Sequence, residues 1–317
     1  MFSKNETYNI LKLQNILEKG KYNFGGYYEF MVYEPKERLI HAPKYIDKIV
    51  QLAIYYQIKD IYKKTYIYDS YACIDGKGTH KCVNRLQQFL KRANWEYGEN
   101  AYIIKIDIKK FFYSIDRKIL KELLPKKIKH KNTLKLLYQI IDSADEISEK
   151  GLPLGNTLSQ VFANIYLNQL DQYCKRTLKV KYYIRYADDI VAVVPNKQTA
   201  KEKKQNMLNY LNEKLNLEHN LKKTKIFKLS QGVNTVGFKI KPHYKLLRND
   251  SKKRIKKKLR KMESLIHENK MTKEKAEQIL NSWRGHAING NSWNFIQKLL
   301  KKFSFIYLEN NTLKVGD

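Results

Sequence analysis

Tyr182-Tyr183-Ile184-Arg185-Tyr186-Ala187-Asp188-Asp189-Ile190-Val191-Ala192-Val193-Val194 is the stretch that opens the chain to reading. Lys181–Arg185 and Ile190–Val194 are rich in aromatic and β-branched residues, which favour strands. Two adjacent acids break the apolar run between them. The pattern predicts a hairpin whose tip carries both carboxylates. Neighbouring side chains of a strand face opposite ways, so only a tight turn brings both acids to one site. Close carboxylates repel unless a cation lies between them. A solvated turn is the plain alternative.

Asp107 weighs against that alternative. It stands in Lys105-Ile106-Asp107-Ile108-Lys109-Lys110-Phe111-Phe112, near the end of a strand predicted at Ala101–Ile108. A carboxylate among apolar side chains is costly unless paired or metal-bound. Asp107, Asp188 and Asp189 would together form an oxygen-only site suited to Mg²⁺, with Mn²⁺ as a substitute. Two such ions serve nucleotidyl transfer. One lowers the pKa of the attacking 3′-hydroxyl, and the other holds the triphosphate and the departing pyrophosphate.

Composition points the same way. The 317 residues suggest roughly two domains at about 150 residues each. The net charge is 62 − 31 = +31. So positive a chain favours a polyanionic partner, nucleic acid first. Hydrophobic residues make up 43%, enough for a core. No apolar run reaches the length of a membrane helix, so no membrane partner is expected. The first residues carry no apolar core of a secretory signal. Cys73, Cys82 and Cys174 lack C-x-x-C spacing, which argues against a disulfide framework or zinc site and fits a reducing cytoplasm. Tyrosines interleaved with bases suit contacts with sugars and bases, although many belong to a core.

Periodicity and breakers predict an α+β fold. Helices are expected at about 5–19, 44–62, 79–92, 117–124 (capped by Asp116), 156–175 and 197–215. Strands are expected at 27–33, 38–41, 225–229 and 235–241, besides those already named. The glycine turn Asp75-Gly76-Lys77-Gly78 precedes the third helix. From Asp250 the character changes: Ser251–Lys261 has Lys or Arg at eight of eleven positions. Helical segments follow to about 304, so a domain boundary is placed near 245–250. No internal repeat is visible.

Tyr-x-Asp-Asp after an apolar strand, with an upstream strand carrying Asp and then Phe-Phe, resembles reverse transcriptases. Lys36-Glu37-Arg38-Leu39-Ile40-His41-Ala42-Pro43 is similar to the fingers motif that meets the incoming triphosphate. Tyr71–His80 resembles the next fingers motif. Gly151-Leu152-Pro153-Leu154-Gly155-Asn156-Thr157-Leu158-Ser159-Gln160 resembles the motif lining the nucleotide and template pocket. Lys223-Thr224 resembles the following palm motif, and Val233–Ile240, with Gly237-Phe238, the primer grip. The motifs stand in family order across about 27–295. The resemblance implies a right-hand polymerase with fingers at 1–100, palm at 101–245 and a basic helical thumb at 246–317. It implies RNA-directed DNA synthesis from dNTPs on a template RNA, through an RNA/DNA hybrid. No RNase H, integrase or endonuclease segment is expected within these 317 residues.

Finer details resemble the reverse transcriptases of diversity-generating retroelements. Many reverse transcriptases carry Gln and Pro where this chain has Leu154 and Gln160. Ser70-Tyr71-Ala72-Cys73, Gly76–His80 and Ser282-Trp283-Arg284-Gly285-His286-Ala287 point to the same group. That likeness implies a bacterial or phage origin, a template-repeat RNA, errors opposite adenines and a small basic ring-forming accessory protein. A Gln at 154 could police the incoming nucleotide through hydrogen bonds, whereas Leu154 offers only apolar contact and discriminates less. The segment before Ile10–Tyr33 is shorter than the group usually has. This leaves open a related branch, the defence-associated bacterial reverse transcriptases.

The resemblance also assigns roles. Phe112, five residues after Asp107, stands where the family places a steric gate against a ribose 2′-hydroxyl. Ile108 would act through its backbone carbonyl as a metal ligand. Lys36 and Arg38 would clamp the triphosphate, Arg with its bidentate fork. Lys223 would protonate or neutralise pyrophosphate, with Lys222 and Lys225 as rivals. Gly155 would let backbone approach the base pair. Ser159 and Gln160 would touch template or nucleotide. Lys252, Lys253, Arg254, Lys256 and Lys257 would grip phosphates from a thumb helix, a salt-sensitive contact. An RNA-dependent RNA polymerase and a non-catalytic RNA-binding scaffold are the rival readings. Phe112 opposes the first and the three acids oppose the second.

Overall fold

The computed structural model describes residues 5–33, 37–143 and 149–303. In chain order the elements begin with α1 (Glu6–Glu18), β1 (Tyr27–Val32), β2 (Arg38–Pro43), α2 (Tyr45–Lys63) and α3 (Thr79–Tyr97). Next come β3 (Tyr102–Asp107), α4 (Phe111–Ser114), α5 (Arg117–Leu123), α6 (Lys131–Asp142) and α7 (Thr157–Gln172). β4 (Tyr182–Tyr186), β5 (Asp189–Val194), α8 (Lys197–Leu215), β6 (Lys225–Lys228), β7 (Val233–Thr235), β8 (Phe238–Ile240) and β9 (Lys245–Leu247) follow. The described chain closes with α9 (Asn249–His267), α10 (Lys273–Ala287) and α11 (Trp293–Lys302).

The chain forms two compact units that do not follow chain order. The first comprises 1–68, 107–179 and 205–220; the second comprises 69–106, 180–204 and 221–317.

In the first unit, β1 and β2 form an antiparallel hairpin, with Tyr28 opposite Ala42 and Phe30 opposite Ile40. α2 turns Val50, Ile54, Ile58 and Tyr62 inward, a helical repeat that packs it on α7. α7 is buried nearly all round, and its Asn156 cap accepts a hydrogen bond from the Leu158 N–H at 2.8 Å. Asp116 caps α5 as the sequence predicts, accepting from Ile119 N–H.

In the second unit, a sheet of order β4-β5-β3-β6 lies beside α3. β3 reads as a run of isoleucines because Ile103, Ile104 and Ile106 are all buried. The core around Ile103 continues through Leu86 and Leu90 of α3 to Phe238 and to Ile255, Leu259 and Met262 of α9. Those three positions leave the cations of α9 to its other faces. The lysine-rich run is thus an amphipathic helix and not a coil.

One strand expectation is corrected. Residues 235–241 do not form a single strand. β7 and β8 pair antiparallel with Thr235 opposite Phe238, so Val236-Gly237 is a two-residue turn. Both residues have positive φ, 45° and 88°, the mirror-image hairpin geometry that suits sheet twist. Val236, a β-former, hides that turn from a propensity reading.

Candidate active site

The acidic turn is built from below by Arg185. This residue is buried inside β4, and its Nη1 donates to the carbonyl of Ala187 at 3.2 Å. Its main chain is held by the preceding motif: Tyr71 N donates to Arg185 O, and Arg185 N donates to Asp69 O, both at 3.0 Å. Asp69 in turn pairs with Arg85 of α3 at 2.8 Å. Tyr186 lies opposite Asp189, so Ala187 and Asp188 form the turn itself. Ala187 takes φ 52°, a left-handed conformation that costs a non-glycine residue about 1–3 kcal/mol unless its surroundings enforce it. The Tyr186 hydroxyl meets Thr79 Oγ1 at 3.0 Å, which ties the turn to the glycine-turn motif.

The two acids sit differently. Asp188 is half-buried at the tip. Asp189 begins β5, and Thr235 donates to its Oδ2 at 2.6 Å. Lys105 Nζ lies 3.0 Å from its Oδ1, without the alignment of a hydrogen bond. The same ammonium donates to the Asn234 carbonyl at 2.5 Å. Sequence reading missed Lys105 and Thr235. The signal for Lys105 was a lone cation inside a buried isoleucine strand.

Asp107 ends β3 and is buried. Its carbonyl accepts from Asn220 N at 2.7 Å, while Lys109 N donates to Glu218 O at 2.9 Å. These bonds flank the Ile108–His219 bridge, so the Ile108 carbonyl points away from that edge. Phe111 is buried, and half-buried Phe112 meets it edge-on at 5.5 Å. Carboxylate and carbonyl oxygens are the donors Mg²⁺ takes. The buried Asp189 Oδ1 makes no hydrogen bond and lies 3.0 Å from the Lys105 ammonium, so this carboxylate already faces a cation. Among the described residues, no three His, Cys, Asp or Glu side chains gather closely enough to hold a metal ion.

The loop around Leu154 meets the β1–β2 hairpin inside the first unit. His41 N donates to Leu154 O at 2.6 Å. A Cβ on Gly155 would lie 2.8 Å from Ile40 Cγ2 and 3.0 Å from His41 O, at φ 105°. Glycine is therefore required here by β2. Leu154 is half-buried and Gln160 exposed. Ser159 corrects an expectation: it is 1% exposed and its Oγ finds no partner among the described residues, so it has no surface for template or nucleotide. Arg38 is exposed at the start of β2, whereas Lys36 lies outside the described residues. Lys223 is exposed on the turn before β6.

Phe238 is also corrected. Its ring is fully buried and packs on His286 with centroids 4.6 Å apart, so it offers nothing to nucleic acid. A Cβ on Gly237 would meet His286 Nε2 at 3.0 Å. His80, from the glycine-turn motif, faces His286 at 5.7 Å. Burial first, and then His80, lowers the pKa of His286. On α9, Lys253, Arg254 and Lys257 are exposed, while Lys252 and Lys256 set their ammonium groups 5.4 and 5.5 Å from the Phe295 ring centre. Cys82 and Cys174 are buried and Cys73 exposed, with no disulfide among them. Among the described residues, no helix is long and apolar enough to cross a membrane.

Residues 32–240 match the family model of the reverse transcriptase (RNA-dependent DNA polymerase). The chain belongs to this family. Its curated relatives include the putative COX1/OXI3 intron 2 protein of Saccharomyces cerevisiae, 23% identical over 68% of this chain and 31% of that protein. They also include the group II intron-encoded protein LtrA of Lactococcus lactis, 27% identical over 46% and 24%. Protein YkfC of Escherichia coli is 23% identical over 66% and 65%. The chain thus spans about a quarter to a third of the intron-encoded relatives. Among solved structures, telomerase from Candida albicans, in complex with a TWJ fragment of telomeric RNA, matches with a TM-score of 0.53 at 13% identity, over 73% of this chain and 46% of that one. Apo telomerase from Candida tropicalis matches with 0.51 at 16%, over 78% and 54%. At such identity the likeness concerns the fold, which is the α+β right-hand polymerase.

Proposed function

We propose that this chain copies an RNA template into DNA from dNTPs. The observation that carries this reading is the acidic turn: a two-residue hairpin tip bearing Asp188, followed by an Asp189 fixed by Thr235 and Lys105, inside a reverse transcriptase match. Asp107, Asp188, Asp189 and the Ile108 carbonyl are the proposed ligands of two Mg²⁺ ions. When bound, such ions activate the primer 3′-hydroxyl and neutralise the leaving pyrophosphate. Arg38 and Lys36 bind the triphosphate, Phe112 excludes the ribose 2′-hydroxyl, and Lys223 meets the pyrophosphate. Leu154, Gly155 and Gln160 line the nucleotide pocket, and the Gly237 backbone supports the primer end. Lys252, Lys253, Arg254, Lys256 and Lys257 hold phosphates. The fingers, palm and thumb division at 100 and 245 belongs to the same proposal.

The finer reading is an error-prone enzyme of the diversity-generating type, working in a cytoplasm with a dedicated template RNA and a small basic accessory protein. Leu154 supports it: an apolar side chain at that position cannot test a base pair by hydrogen bonding. The test is to purify the protein with its co-expressed flanking locus, supply dNTPs and Mg²⁺, and sequence the cDNA. Substitutions dense at template adenines are the expected result. Faithful, repetitive or untemplated cDNA would replace that reading with the defence-associated one.

A further inference from the structure

The acidic turn carries its own counter-ion. Asp189 Oδ1 lies 3.0 Å from Lys105 Nζ, and Oδ2 accepts from Thr235 at 2.6 Å. Lys105 is anchored in turn by the Asn234 carbonyl at 2.5 Å. Its side chain is 12% exposed and that of Asp189 21%. An ion pair so shielded from water is screened far less than a surface pair. Removing one partner leaves the other charge partly buried and uncompensated. Lys105 comes from β3 and the other anchors from β7, so one ammonium fixes the start of β5 against two other segments.

We propose that Lys105 is a positioning residue for the acidic turn. Its ammonium neutralises Asp189 before any divalent cation binds, and with Thr235 it presets the carboxylate and the adjoining Asp188 tip. This rests on the polymerase reading above, but its first test does not need activity. The pairing makes the two residues interdependent. Lys105→Met lowers the melting temperature in EDTA by about 2–4 °C or more, and most of that loss vanishes in an Asp189→Asn background. Mg²⁺ then raises the melting temperature of Lys105→Met more than that of the wild type, because an external cation replaces the missing one.

An equal loss from Lys105→Met with and without the Asp189→Asn change, or an equal Mg²⁺ response, would overturn the proposal and leave Lys105 a packing residue. Should Lys105→Met fail to fold, Thr235→Val removes one anchor without touching charge. It is expected to raise the Mg²⁺ concentration needed for half-maximal DNA synthesis several-fold, with melting in EDTA lowered only slightly. An unchanged Mg²⁺ requirement would count against the proposal. Variants that melt as predicted, beside a wild type that makes no DNA, would defeat the polymerase reading and leave this inference standing.

Discussion

Two hairpin turns of the second unit, Ala187-Asp188 and Val236-Gly237, share a length and a backbone problem. Each connects antiparallel strands through two residues, and each places a residue with a Cβ at positive φ. They solve the problem differently. The first is held by polar groups: Arg185 of its own strand on the Ala187 carbonyl, and Thr235 and Lys105 from other strands on Asp189. The second is held by packing, with His286 against Gly237 and Phe238. The first spends its rigidity on presenting carboxylates, and the second on joining the sheet to α10. Backbone geometry alone does not separate a chemical turn from a structural one; the partners do.

The sharpest way to break that comparison is to remove charge at the first turn. Asp188→Ala is expected to reduce primer extension by about three orders of magnitude, the equivalent of several kcal/mol of metal stabilisation. RNA affinity in a filter-binding assay and the melting temperature should change little. Unchanged extension would make the first turn as structural as the second.

Adding a Cβ tests the packing side. Gly155→Ala, whose new atom would strike the β2 backbone and Ile40, should destabilise by about 1–3 kcal/mol in a denaturant titration. Gly237→Ala meets only an imidazole edge that can shift, so about 1 kcal/mol is expected. The reverse order would mean that His286 is the firmer wall.

Phe112→Ala should narrow the preference for dNTPs over rNTPs by about tenfold or more in steady-state incorporation, with little effect on melting. A retained preference would return Phe112 to the packing role of its neighbour Phe111.

The smallest effect concerns pH. Burial, reinforced by His80, holds the pKa of His286 below 6.5. The unfolded chain then takes up a proton that the folded chain resists. Stability is therefore full above about pH 6.5 and declines as pH falls toward the folded-state value. His286→Gln should flatten melting temperature between pH 7 and 5. A slope unaffected by that substitution would assign it elsewhere.

The comparison also explains what could be read in advance. The acidic turn was legible because two acids between apolar strands violate local expectation, and β4, β5, α5 and α8 fell where periodicity placed them. The second turn was not, since Val236 favours a strand and only its packing reveals the bend. Ser159 and Phe238 failed for a related reason: a motif position gives residue identity, while burial depends on neighbours distant in sequence. Lys105 was visible as a cation in an isoleucine strand, but its partners, Asp189 and Asn234, lie 84 and 129 residues further on.

The most direct measurement is extension of a DNA primer annealed to a defined RNA template by the wild-type protein with Mg²⁺, comparing dNTPs with rNTPs. The account predicts complementary DNA from dNTPs and almost none from rNTPs. Equal use of both, or no extension even with the flanking locus supplied, would contradict it.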